Sequence, residues 1–181
     1  MPHLAIVLDK TRKSMKNVWP LAFLFLLVNC ATDKDKPKYL RWVGDIEADA
    51  KIDSETFQLC YSEARVKQYF NFSQGMQYEG EKTAIAEAFR STYKAVDVMQ
   101  SGWIRIRFIV NCKGQSGRFR LTASNAQYEE QTFDVRITEQ LLSITRSLNG
   151  WKPLPDKDDP RDYYQYLTFK IENGVLKEIL P

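Results

Sequence analysis

Two kinds of spacing organise the second half of the chain. From Glu81 onward Ala84, Ile85, Ala88, Phe89 and Tyr93 recur every three or four residues, which predicts a short amphipathic helix. At Trp103 to Val110 the period drops to two, with Ile104, Ile106, Phe108 and Val110 on one side and Arg105 and Arg107 on the other. That is the pattern of a half-buried strand with a charged outer face. Lys113 to Gly117, KGQSG, turns the chain, and Arg118 to Thr122 alternates again, Phe119 and Leu121 against Arg118 and Arg120. Helical spacing returns with Phe133, Ile137, Leu141, Ile144 and Leu148, and Gly150 is the expected stop. Asp156 to Asp162, beside Pro155 and Pro160, reads as a loop. Tyr163 to Ile171 reads as an aromatic strand, and Asn173-Gly174 as a two-residue hairpin turn into Val175 to Leu180.

The first half is less regular. Tyr39 to Asn71 carries Trp42, Ile46, Ile52, Phe57, Leu59, Tyr69 and Phe70, enough apolar surface to fold, without a clear period. The expected class is therefore α+β: a small antiparallel sheet with two helices packed on one side, preceded by an irregular N-terminal extension over residues 39–77. No internal repeat is present.

The longest apolar run lies earlier, at Val18 to Val28, and is shorter than the roughly 20 residues a membrane helix needs. Lys16 precedes it and Leu27-Val28-Asn29-Cys30 closes it. This arrangement resembles a bacterial lipoprotein leader, in which a peptidase cuts before a cysteine whose thiol carries diacylglycerol. The resemblance implies that residues 1–29 are removed and that Cys30 is the lipidated first residue of the mature chain. Asn29 departs from the usual Gly, Ala or Ser. An uncut anchor and an ordinary signal peptide are the alternatives. Residues 1–14 fit no part of such a leader, so initiation at Met15 and a long basic n-region both stay open. Ala31 to Lys38, ATDKDKPK, reads as a charged tether. Its Asp/Lys run also resembles the signals that send some Bacteroidetes lipoproteins to the cell surface.

Cleavage would change the charge balance. The chain holds 26 basic and 23 acidic residues; the leader takes Lys10, Arg12, Lys13 and Lys16 of the first and Asp9 of the second, leaving 22 of each. Nothing in that balance points to nucleic acid. The leader also takes His3, the only histidine. Without it, Ser-His-Asp and Cys-His couples and histidine-ligated metals are out of reach, and only carboxylate chemistry stays formally open. The expectation is a protein with no enzymatic activity, metal or cofactor.

With Cys30 lipidated, Cys60 and Cys112 form the remaining pair. Outside the cytoplasm such pairs commonly oxidise, and a bridge across roughly 50 residues is worth about 3–4 kcal/mol. The alternative is two buried thiols acting as small apolar side chains.

The order helix, strand, turn, strand, helix, strand, with GWIRIRFIVNCKGQSGRFRL at Gly102 to Leu121 and LLSITRSLNGWKP at Leu141 to Pro153, resembles the C-terminal domain of TonB-type energy transducers. YLTFK at Tyr166 to Lys170 falls where that family's final strand begins. YEGEKTAIAEAFRSTYK, from Tyr78, resembles its "F-P-G-G" entry and first helix. The similarity spans about Tyr78 to Ile171. Three features depart from the family: no lasting membrane anchor, no long proline-rich segment, and Cys112 in the first strand-turn.

The resemblance implies a binding module that captures an extended segment of a partner at an exposed sheet edge, here Tyr163 to Ile171 or its hairpin partner Val175 to Leu180; a hairpin that covers the edge would block this mode. Candidate contact residues are Tyr163, Tyr164 and Tyr166 on that strand and Arg105, Arg107, Arg118 and Arg120 on one face of the first two strands. Equally, the arginines can be a solvated face and the tyrosines ordinary strand residues. The expected partners are a membrane, through the lipid, and an envelope protein such as a transporter, with the domain held at the outer membrane and facing the periplasm or the outside. The alternative is a structural or assembly lipoprotein that uses the fold as a scaffold.

Overall fold

The computed structural model describes residues 44–68, 75–155 and 159–180. Among these residues two α-helices and four strands follow in the order α1 (Glu81–Thr92), β1 (Gly102–Val110), β2 (Ser116–Ser124), α2 (Val135–Ser147), β3 (Tyr163–Glu172) and β4 (Val175–Leu180), after a 3-10 turn at Glu63–Arg65. All strand pairs are antiparallel and the spatial order is β2-β1-β3-β4. The α+β expectation is met, and Cys30 with its tether lies outside the described residues.

One face of the sheet carries the main core. Ile104, Ile106, Phe108 and Val110 of β1 and Leu167, Phe169 and Ile171 of β3 are sealed from solvent. Against them pack Ile85 and Phe89 of α1 and Ile137, Leu141 and Ile144 of α2. Phe89 meets the Phe169 ring at 4.8 Å, and burying such a side chain contributes about 2–3 kcal/mol. The helix stripes are therefore what fix both helices to this face. Asp134 caps α2 by accepting from the Arg136 amide at 2.9 Å.

Gly150 does not stop α2. The helix ends at Ser147, with Leu148 already extended. Gly150 instead lies against the Tyr78 ring, where an added Cβ would sit 2.8 Å from a ring carbon. The backbone around it pairs with the entry to α1, Glu79 N to Gly150 O at 2.8 Å and Lys152 N to Gln77 O at 2.9 Å. Trp151 meets Tyr78 at 4.7 Å between ring centroids and Phe108 at 5.2 Å. The tryptophan that follows the helix thus joins the start of α1 to the first strand.

The hairpin signal is realised as expected, with Asn173 and Gly174 both at positive φ, 49° and 71°. The strand it creates changes the edge. β4 pairs with β3 from Thr168 to Glu172, and Lys67 bridges to Tyr163 at the other end. β3 is therefore an inner strand where β4 lies beside it, so Thr168 to Ile171 is not an edge, and the outermost strands are β2 and β4.

The irregular extension covers the other face. Residues 44–68 run across it as a strap and build a second apolar cluster, with Ile46 and Val66 against Ile109 and Tyr164, flanked by Phe57 and Leu59. Ile109 is buried for this reason: β1 is covered on both faces at its end, and the continuous run Phe108-Ile109-Val110 reflects that. Phe57 sits on Gly117, where a Cβ would fall 2.1 Å from the ring, so a side chain at 117 would displace the strap. The strap and the sheet belong to one unit, Tyr39–Pro181.

Candidate functional site

The four arginines do lie on one face, the one under the strap. Arg107 donates to the Gly44 carbonyl, Arg118 to the Ile46 carbonyl at 3.3 Å, and Arg120 to the Glu47 carbonyl at 2.7 Å. Arg118 also meets Glu63 at 2.8 Å. Arg105 lies over the Tyr166 ring, 3.9 Å from its centroid, and loss of solvent lowers its guanidinium pKa. Tyr163 is fully buried and its hydroxyl donates to the Lys152 carbonyl at 2.9 Å. Tyr164, also buried, donates to Asp45 at 3.3 Å. All seven candidate contact residues are thus engaged within the chain, and most hold the strap or the core rather than presenting an open surface.

Arg120 and Asp53 make the strongest of these contacts, a two-pronged pair at 2.6 and 2.8 Å. Arg120 holds the Asp53 carboxyl below its ordinary value. The pair contributes in full above the unfolded carboxyl value of about 3.9, and its contribution is lost as pH falls through the lowered folded value. On acidification below about pH 4, amide signals of the strap should shift before those of the β1 and β3 core. Asp53→Asn should remove that early step. A strap that follows the core throughout the titration would refute this.

The disulfide Cys60–Cys112 is present, with Cα atoms 6.0 Å apart, and crosslinks strap to sheet. Its 52-residue separation corresponds to about 4 kcal/mol in the loop-entropy estimate. Beside it sits Asp162, inaccessible to solvent. Its carboxylate accepts from the amides of Cys60 at 2.9 Å, Tyr61 at 3.1 Å and Cys112 at 2.8 Å. Burial raises the Asp162 pKa and the amide donors partly offset that. Asn111 works alongside it: Oδ1 accepts from Lys113 and Gln115, and Nδ2 donates to the Gln58 carbonyl, each at 3.0 Å. Cys60, Cys112 and Asp162 are also the one cluster of potential metal ligands among the described residues, and its two sulfurs are bonded to each other.

One open groove lies at the β4 edge. Between α1 and β4 runs a groove of about 440 Å³ lined by Ala86 and Phe89 from the helix, Tyr93 just past its end, and Leu176 and Ile179 from the strand. Lys82, Arg90 and Lys177 stand exposed along it. Phe89, Ala86, Lys82, Arg90 and Tyr93 share one side of α1 because they are spaced by threes and fours. The helix pattern contained this stripe, but only the position of β4 turns it into the wall of a groove.

No protein-family model, curated protein or solved structure matches the chain.

Proposed function

We propose that this chain is a non-catalytic envelope lipoprotein, tethered to the outer membrane through Cys30. On this reading its folded part is a TonB C-terminal-like module that binds an extended segment of an envelope protein. The observation that carries the reading is the outer edge of β4 beside the α1 groove, which no other strand covers among the described residues. An edge strand offers unpaired backbone donors and acceptors, and a helix alongside it supplies pockets for alternate side chains of an added strand. The order β2-β1-β3 with helices on one face and the contact between Tyr78 and Trp151 support the family likeness. β4 covers β3 from Thr168 to Glu172, which blocks the family's mode of capture there, so on this reading the partner would use the outer edge of β4 instead.

The scaffold alternative has an observation of its own. The pairing of β3 and β4 is irregular at Lys170/Ile171, and Lys177 and Glu178 place charge on the edge, both features that discourage strand addition.

A photocrosslinker in place of Lys177, used in intact cells, separates the two. Binding predicts capture of a discrete envelope protein and its loss when Ala86→Trp fills the groove. No discrete product, or capture that Ala86→Trp leaves unchanged, would sink the binding reading.

A further inference from the structure

The charges around the α1–β4 groove narrow the choice of occupant. The arginines of the opposite face meet carbonyls and acids of the strap, as Arg120 does with Glu47 and Asp53. The groove has no such cover built from the strap. Lys82, Arg90 and Lys177 surround an apolar floor of Phe89, Leu176 and Ile179, and Glu178 is the sole acid among its lining residues. We propose that the groove takes an extended acidic peptide segment, which pairs with β4 and sets its carboxylates among Lys82, Arg90 and Lys177. This rests on the binding reading above and adds to it the chemistry of the partner.

The geometry accounts for both halves of that ligand. An extended chain directs successive side chains to opposite faces of the sheet, so the set facing α1 meets the apolar wall and the Lys82 and Arg90 rim together, while the other set faces away from the helix. Ala86 leaves a gap between Lys82 and Arg90 on the helix, beside Tyr93 and Leu176, that would take a β-branched or aliphatic side chain of the ligand. The three cations are exposed, so each one contributes modestly to affinity and together they act as a filter on sign. A basic segment would bring like charges together at three points. Binding should weaken with salt, since the screening length falls to about 10 Å at 0.1 M.

The test is selection of random peptides on phage against the detergent-solubilised full-length protein, followed by synthesis of the selected sequences. The expected winners combine Asp or Glu with aliphatic residues and slow hydrogen exchange at β4 amides. The triple variant Lys82→Glu, Arg90→Glu, Lys177→Glu should lose at least tenfold in affinity for them and prefer Lys-bearing versions. Those three positions are exposed, so the variant keeps the core, and circular dichroism checks that it folds. Neutral or basic peptides that protect β4 would overturn the acidic partner while leaving edge binding intact. Peptides that bind without protecting β4 would overturn both, and so would a selection that yields none. Phosphatidylglycerol vesicles that protect β4 where acidic peptides do not would also overturn the proposal, making a lipid surface the occupant.

Discussion

Asp162→Ala should destabilise the oxidised protein by about 3–5 kcal/mol, a large share of the 5–15 kcal/mol typical of a domain. The carboxylate accepts three amides from two segments that lie about fifty residues apart in sequence, Cys60 and Tyr61 on Oδ2 and Cys112 on Oδ1. Alanine leaves all three without an acceptor, and each orphaned donor costs about 1–3 kcal/mol when buried. These are part-buried, which keeps the sum toward the low end. The carboxylate's own desolvation, visible in its raised pKa, is relieved in the variant and offsets some of the loss. Asp162→Asn should fall between, because its carbonyl replaces one acceptor while its amide faces a donor. Urea unfolding at neutral pH with the disulfide intact measures the order wild type, Asn, Ala. An alanine variant within 1 kcal/mol of wild type would remove the carboxylate from this role.

What the sequence hid at this site was the far partner of each short-range pattern. Alternation placed Arg105, Arg107, Arg118 and Arg120 on one face, and the structure keeps them there. It could not tell whether that face is wet, because the acceptors are largely backbone carbonyls of Gly44, Ile46 and Glu47. Any residue type provides a carbonyl, so such contacts leave no mark on composition. Asp162 escaped notice for a related reason. An acid at the end of a polar loop looks solvated, and only the approach of Cys60 and Cys112 makes it an internal acceptor.

Patterns whose cause is local were legible. The helices α1 and α2 follow from stripes that must be buried somewhere, and the β3–β4 turn from the tolerance of Asn173 and Gly174 for positive φ. Gly150 shows the limit of that logic: a glycine after a helix suggested a stop, whereas it is the Tyr78 ring that crowds its Cβ position. The strap was illegible because its apolar residues answer to Ile109 and Tyr164 rather than to a period of their own. The aromatic strand Tyr163 to Ile171 looked like a binding edge because aromatic residues suit exposed and inner strands alike. Its neighbours on both sides, β1 and β4, decide the matter.

On the lipoprotein proposal, Cys30→Ser should leave the protein unprocessed or released from the membrane, the largest effect that proposal expects of any single change. Among the described residues no helix is long and apolar enough to cross a membrane. On the lipoprotein reading, attachment then depends on acyl chains at Cys30, and more than one is needed because a single chain holds weakly. Labelling with a palmitate analogue should mark the wild type and not the variant, and fractionation should move the variant away from the outer membrane. A variant that is still labelled and still sediments with membranes would end the lipoprotein proposal. On the same proposal Ala31 to Lys38 is a tether that reaches at most about 3.5 Å per residue, far short of a periplasmic crossing. A domain so held would be able to bind a neighbour but not to pull on it from the opposite side. The protein should therefore fail to restore energy-dependent uptake in a strain lacking its TonB transducer, while a β4 crosslink to its partner persists. Restored uptake would mean that the chain reaches further, or couples differently, than a short lipid tether allows.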